Sequence, residues 1–326
     1  MTDSDSLLST APVANPTGNA RPILVVGLPR SGSSFLSEVL SQIGSHYVFD
    51  DLYLIPKGQR YGLNRALSDK ALDKLLFFLG WQIRARLKFG SFAIPNVEMD
   101  EVDPMNDALK QTFQGRDCTV LDLQEEWLTR LAHRNGCAEW GFKLPKAFLY
   151  VNRLIKRYPD LKIVFLMRRP DQVLASYKQM PKQLRDGDPD QYHPIAKALY
   201  WRLAAKQFFK IAAQHPDNVT FIRFQDLVKD PTTVAHQIAA FVGVPAPEKI
   251  EFEGKKNSSH QGGETRGPLT SSEHWFIDAT CGSLATKLGF ETTPGRLRVG
   301  DIGDLMVSTT RFIKYWLKRV YHSVTR

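Results

Sequence analysis

The chain has 326 residues, 43% of them hydrophobic and 24% charged, with a formal net charge of +9. Those values describe a globular protein with room for a sizeable core, as one large domain or two small ones. Three widely spaced cysteines, Cys118, Cys137 and Cys281, with no C-x-x-C spacing, exclude a disulfide framework and a cysteine zinc site and are expected as free thiols in a reducing, cytoplasmic setting. No apolar run approaches the roughly 18 residues of a membrane span. The basic balance suits nucleic acid, membrane surfaces and small anions alike, but no nucleic-acid motif is present, so nucleic acid is not expected as a partner.

Residues 1–20 lack a basic start followed by an apolar block and are expected as a disordered tail. Residues 23–26 read as a buried strand and residues 27–32 as a tight loop. Ser33 and Ser34 open an amphipathic helix whose Phe35, Leu36, Val39, Leu40 and Ile43 share a face, with Gly44 placed to end it. Residues 47–55 follow, with Asp50 and Asp51 in their middle. Residues 64–89 read as helix and 90–116 as irregular, so 60–116 is expected as a helical insertion on the main sheet. Residues 119–123 are expected as a short strand, 124–134 as helix, and 140–145 as a strand end running into a loop. A helix over 148–158 precedes a strongly apolar strand over 161–167. Arg168, Arg169 and Pro170 follow it at once, and then a helix carrying Val173, Leu174 and Tyr177. A long helix over 194–214, a strand over 219–224, a helix over 232–242, a polar glycine-rich loop over 254–268 and a helix over 272–287 complete the series.

Short buried strands alternating with helices predict an α/β fold: a P-loop-like, mainly parallel sheet flanked by helices, spanning residues 21–290. Residues 291–326 are expected as a tail with an amphipathic basic helix near 310–322. Its Phe312, Ile313, Trp316, Val320 and Tyr321 share a face. Packing on its own domain or a dimer partner is the first reading of that stripe, and contact with an anionic membrane surface the second.

The first strand, loop and helix form a phosphate cradle, in which backbone N–H groups at a helix N-terminus point at an anion. The ATP-binding version of the loop ends Gly-Lys-Ser/Thr. Here Ser33 stands where the lysine belongs, and Arg30 sits inside the loop. Arg168, just past a buried strand, is placed to grip a phosphate bidentately. Ser176 lies about two helical turns on and could hydrogen-bond the same anion. Lys143 follows another strand. Parallel sheets bind ligands at the carboxyl ends of their strands, so these groups are expected to converge at one edge.

This ordered set, Gly-x-Pro-Arg-Ser-Gly-Ser-Ser after a strand and Arg-x₇-Ser after a later one, resembles the sulfotransferase superfamily. Residues 224–231 (Phe-Gln-Asp-Leu-Val-Lys-Asp-Pro) and 239–244 (Ala-Ala-Phe-Val-Gly-Val) resemble further family segments. The pattern is most similar to the bacterial and protein-tyrosine sulfotransferase branch. The resemblance implies that Arg30, Ser31, Gly32, Ser33 and Ser34 hold the 5′-phosphosulfate of 3′-phosphoadenosine 5′-phosphosulfate, and that Arg168 and Ser176 hold its 3′-phosphate. It further implies in-line transfer of a sulfuryl group to an acceptor hydroxyl, with no metal. Arg30 and Lys143 would stabilise charge on the leaving phosphate. Lined up through Ile55 and Pro56, the base of the protein-tyrosine branch falls on Asp51. A histidine serves in the small-molecule branch, and His46 is the nearest here. Phe224 stands where the bacterial and protein-tyrosine branch often has Tyr, and Lys255, Lys256, Ser258, Ser259 and Arg266 only approximate a late nucleotide-binding segment. Two alternatives remain: an ATP-dependent small-molecule kinase, with Asp122 as the carboxylate for Mg²⁺, and an inactive nucleotide-binding module. Residues 52–116 and 178–195 are expected to wall the acceptor pocket.

Overall fold

A computed structural model describes residues 21–89, 94–180, 189–251 and 268–324. Its strands are β1 (Ile23–Gly27), β2 (His46–Phe49), β3 (Glu139–Lys143), β4 (Lys162–Met167) and β5 (Val219–Arg223). They form one sheet in the order β2-β3-β1-β4-β5, and every pairing is parallel. Helices α1 (Ser33–Leu40) and α2 (Leu54–Gly58) follow β1 and β2. Helices α3 (Asp69–Phe89), α4 (Val102–Thr112) and α5 (Val120–Arg134) fill the span before β3, and α6 (Val151–Arg157) follows it. Helices α7 (Pro170–Lys178) and α8 (Pro194–Gln214) join β4 to β5. Helices α9 (Phe224–Lys229), α10 (Pro231–Val242), α11 (Ser271–Lys287) and α12 (Ile302–Val324) come after the sheet.

The alternation of side chains along a strand divides the core in two. Leu24 and Val26 of β1, with Ile163, Phe165 and Met167 of β4, face the larger core, which takes in Leu79, Trp127, Trp201 and Cys281 from the surrounding helices. Ile23 and Val25, with Val164 and Leu166, face the smaller core against Leu36, Val39 and Leu40 of α1 and Ile238 of α10. Burial on both faces explains why these strands are unbroken apolar runs in the sequence.

The expected α/β sheet is present, with three differences in detail. Residues 119–123 are not a strand. Thr119 accepts the Asp122 N–H at 3.2 Å, and the Asp122 carboxylate accepts the Thr119 N–H at 3.0 Å. This capping box starts α5 and outweighs the strand propensity of Thr119 and Val120. The stretch 90–116, expected as irregular, contains α4, with Val102, Met105 and Leu109 fully buried on one face. The C-terminal helix begins at Ile302 rather than near 310. The expected tail over 1–20 and nearly all of the loop over 254–268, with Lys255, Lys256, Ser258, Ser259 and Arg266, lie outside the described residues.

Strands β3, β1 and β4 are neighbours, so the segments leaving their carboxyl ends leave side by side. Gly27 makes this possible where β1 meets its loop: a Cβ there would lie 2.2 Å from the Leu166 carbonyl oxygen of β4. Gly27→Ala should therefore destabilise the protein by about 3 kcal/mol, at the upper end of overpacking costs, in urea denaturation. A change within about 0.5 kcal/mol would contradict this account of the β1–β4 contact.

Candidate active site

The loop after β1 turns on a Ser31 N–H to Leu28 carbonyl bond of 3.1 Å. Gly32 caps α1 in the left-handed region, at φ 88°. A side chain there would collide with Phe224, whose ring comes to 2.2 Å of the ideal Cβ position. Arg30 is also left-handed, at φ 75°, as are Asp51 (φ 53°) and Asn96 (φ 59°), the other non-glycine residues with positive φ among those described. Two of these three costly conformations fall on candidate site residues, a clustering that strained backbone shows at functional sites. Ser31 is fully buried, and its hydroxyl has no hydrogen-bond partner among the described residues.

Lys143 ends β3, in register with Val25 of β1. Its ammonium donates to Ser34 Oγ at 2.9 Å and pairs with Asp50 at 2.8 Å and Asp51 at 2.9 Å. One buried cation thus joins the first turn of α1 to both carboxylates that follow β2. The backbone repeats the connection, since the Leu52 N–H donates to the Lys143 carbonyl at 3.1 Å. Ser37 reaches Asp50 Oδ1 at 3.5 Å. Burial pushes the Asp50 carboxyl above the usual carboxylate range; Lys143 opposes the rise and Asp51 adds to it.

Sequence reasoning did not find the two α3 residues that hold Asp51 from behind. Gln82 Nε2 donates to the Asp51 carbonyl at 2.5 Å and Arg86 Nη2 donates to it at 3.0 Å. The Arg86 guanidinium lies 4.2 Å from the Phe49 ring centroid. Both are buried polar residues on a helix otherwise packed by leucines, and that departure from the apolar pattern is the only sequence signal they carry.

The second half of the site is cationic. Arg30 Nε donates to Ser176 Oγ at 3.1 Å. Arg168 leaves β4 with its guanidinium 4.6 Å from the Phe224 ring centroid and its Nε bonded to Gln172 at 3.0 Å. The Trp201 indole anchors the Arg168 carbonyl at 2.9 Å. Burial lowers the Arg168 guanidinium from its ordinary value, and the like charge of Arg30 lowers it further. Two guanidiniums held close together favour a bound dianion. Phe224 therefore has a packing role: its ring fills the space above Gly32 and stacks under Arg168.

The nine residues expected for donor binding and transfer lie at the carboxyl ends of β1 to β4. Arg30, Ser31, Gly32, Ser33 and Ser34 follow β1, Lys143 ends β3, Arg168 and Ser176 follow β4, and Asp51 follows β2. His46 does not belong with them. It starts β2, about 13 Å along the strand from Asp50 at the usual rise, and bonds the Arg21 carbonyl at 3.1 Å. Asp122, the carboxylate considered for Mg²⁺, is taken up by the α5 cap and by Arg157 at 3.1 Å. Beside the Asp51 support, Gln82 also lines a cavity of about 1030 Å³, together with Tyr53, Lys57, Arg60, Phe77, Phe78 and Trp81.

An anion cradle at the carboxyl edge of a parallel sheet, with a buried lysine and two carboxylates beside it, defines a group-transfer enzyme of the α/β class. The chain belongs to the sulfotransferase family, which it matches over residues 22–248, more than half its length. It is 25% identical over 122 residues to flavonol 4′-sulfotransferase of Flaveria chlorifolia; the match spans 34% of this chain and 35% of that one, about a third of the length of that curated relative. The fold is similar to the sulfotransferase domain from the curacin biosynthetic pathway, at 19% identity and a TM-score of 0.51, over 84% of this chain and 99% of that domain. The sulfotransferase domain from the Synechococcus PCC 7002 olefin synthase gives 19% identity and a TM-score of 0.47, over 91% and 97%. The resemblance read from the sequence therefore holds at the level of the family.

The pairing of Lys143 with two carboxylates has a pH consequence. Lys143→Met removes the cation that opposes the rise of Asp50, so the Asp50 carboxyl retains a proton to higher pH. A carboxyl raised in the folded state binds more protons than in the unfolded chain, so stability falls as pH rises through its folded value. The variant should lose about 3 kcal/mol near pH 8 and recover part of that loss near pH 5, by urea denaturation. An equal loss at both pH values would contradict the assignment.

Proposed function

We propose that the protein transfers the sulfuryl group of 3′-phosphoadenosine 5′-phosphosulfate to an acceptor hydroxyl. The observation that carries this reading is Lys143, whose ammonium contacts both the cradle hydroxyl of Ser34 and the carboxylates of Asp50 and Asp51. Donor phosphate and proton acceptor thereby meet at a single cation. Asp51 takes the proton of the acceptor hydroxyl as its oxygen forms the new bond to sulfur. The bond from sulfur to the bridging oxygen of the 5′-phosphate breaks, and Lys143 and Arg30 stabilise the charge that gathers there. The products are a sulfate ester and adenosine 3′,5′-bisphosphate. Arg168 and Ser176 bind the 3′-phosphate, and Ser31, Gly32, Ser33 and Ser34 bind the 5′ side through the N-terminus of α1. Asp50, buried and bonded to Ser37 and Lys143, positions the ammonium.

The cavity that Gln82 lines, joined to Asp51 through its carbonyl, suits an acceptor with a flat aromatic or long apolar body. Phe77 and Trp81 are more than half exposed along it. Phe78 and Trp81 stack at 6.0 Å between ring centroids, and Lys57 lies 5.3 Å from the Phe78 ring centroid. Aromatic walls with a cationic rim favour apolar hydroxyl compounds over free sugars.

Adenosine 3′,5′-bisphosphate should raise the melting temperature, whereas ATP with Mg²⁺ should not; stabilisation by ATP alone would refute the donor assignment. Asp51→Asn should keep the bisphosphate shift and lower kcat by at least about 100-fold, the usual worth of a general base; retained turnover would remove Asp51 from that role. With 2-naphthol as acceptor, Trp81→Ala should raise KM about 10-fold, the worth of a lost aromatic contact, with bisphosphate affinity unchanged. An unchanged KM would show that the acceptor binds elsewhere.

A further inference from the structure

Helix α12 packs on the protein along only one side. Thr309 meets His193 Nε2 at 3.2 Å, and the Phe312 ring packs at a tilt of 42° against the His193 ring, 5.3 Å between centroids. Ser308 is buried on the same side. At 100° per residue, Ile302, Met306, Ile313, Leu317 and Val320 fall within an arc of about 60° that begins beside Thr309 and is centred about 110° round from Phe312. Each of the five is at least half exposed, and Trp316 and Tyr321 border the arc with similar exposure. No other helix among those described leaves so long an apolar row open. Soluble surfaces seldom leave contiguous apolar patches of this kind without a function.

The charges on the helix decide between occupants. Arg311, Lys314 and Lys318 lie along one flank of the arc, and the chain carries no Asp or Glu between residues 305 and 324. A second copy docked in parallel through this arc would bring lysine against lysine, since the one carboxylate of the helix, Asp304, lies in its first turn. An anionic lipid surface would complement the same flank, while the long cationic side chains reach its headgroups and the aliphatic row enters the acyl boundary. Trp316 and Tyr321 suit the interfacial depth. On the opposite flank, Arg319 lies close to Lys146, just past β3; burial and this like charge together lower the Lys146 ammonium. The last turns of α12 therefore run beside the carboxyl edge of the sheet. Among the described residues no helix is long and apolar enough to cross a membrane, so contact would be in the plane of the surface.

We propose that the exposed face of α12 docks on an anionic phospholipid surface. The test is co-sedimentation of the full chain with vesicles of phosphatidylcholine alone, or of phosphatidylcholine with about one part in three phosphatidylglycerol. Binding is expected to the anionic vesicles only. It should weaken sharply in about 1 M salt, where the screening length falls to about 3 Å. Ile313→Glu with Leu317→Glu, and separately Lys314→Glu with Lys318→Glu, should each weaken it at least about 10-fold. Unchanged circular dichroism and an unchanged bisphosphate melting shift would show that both variants fold. No sedimentation with anionic vesicles would overturn the proposal, as would equal binding to both vesicle types. So would a dimer in analytical ultracentrifugation that the Ile313→Glu, Leu317→Glu variant dissociates while vesicles capture nothing.

Discussion

The site is organised around the ammonium of Lys143. It holds Ser34 at 2.9 Å, Asp50 at 2.8 Å and Asp51 at 2.9 Å while almost wholly removed from water. A buried charge is tolerable only when it is paired and hydrogen-bonded. This constraint acts on three chain segments at once: the end of β3, the first turn of α1 and the loop after β2. Strand β3 lies between β1 and β2, so its last side chain can reach the segments leaving both neighbours. The same contact that satisfies the lysine also fixes where the loop after β1 stands relative to the carboxylates.

The other side of the cradle works by a different balance. Arg30 and Arg168 repel one another, and Arg30 occupies a left-handed backbone conformation that a non-glycine residue adopts at a cost. Neither feature stabilises the fold by itself. Arg30 is tied to the helix after β4 by its bond to Ser176. Phe224 makes this arrangement possible. Its ring needs a residue without a Cβ at position 32, and it offers Arg168 a flat surface. A residue that departs from the family pattern is thus built into the cradle.

Much of the exposed large apolar surface is gathered in two places. Tyr53, Phe77 and Trp81 border the cavity that Gln82 lines, and the open row of α12 lies along the last helix. Apolar surface left in water costs free energy in proportion to its area. The two places differ in chemistry: one is an aromatic-walled recess, the other a stripe with cations along its edge.

The sequence by itself determined the α/β class, the cradle and the family. These rest on local signals: unbroken apolar runs of strand length, a glycine at the β1 loop where the β4 backbone leaves no room for a Cβ, and cationic residues just past strand ends. It also placed Asp51, Lys143 and Arg168 at one edge, because a parallel sheet puts all its carboxyl ends together. Local propensity misread residues 119–123, where a capping box outweighs β-branched side chains, and missed α4, whose buried face packs against α3 and α5. Tertiary structure alone decided which of two candidate bases stands at the site. His46 and Asp51 are five residues apart in the chain, but a strand carries them to opposite ends of the sheet. It alone revealed Gln82 and Arg86 behind Asp51, because a helix 30 residues away cannot announce which carbonyl it will meet. The two readings of the C-terminal stripe were indistinguishable in the chain, since an amphipathic pattern records which face is apolar and not what covers it. The structure docks Thr309 and Phe312 against His193, as the first reading expects, and leaves the row from Ile302 to Val320 exposed.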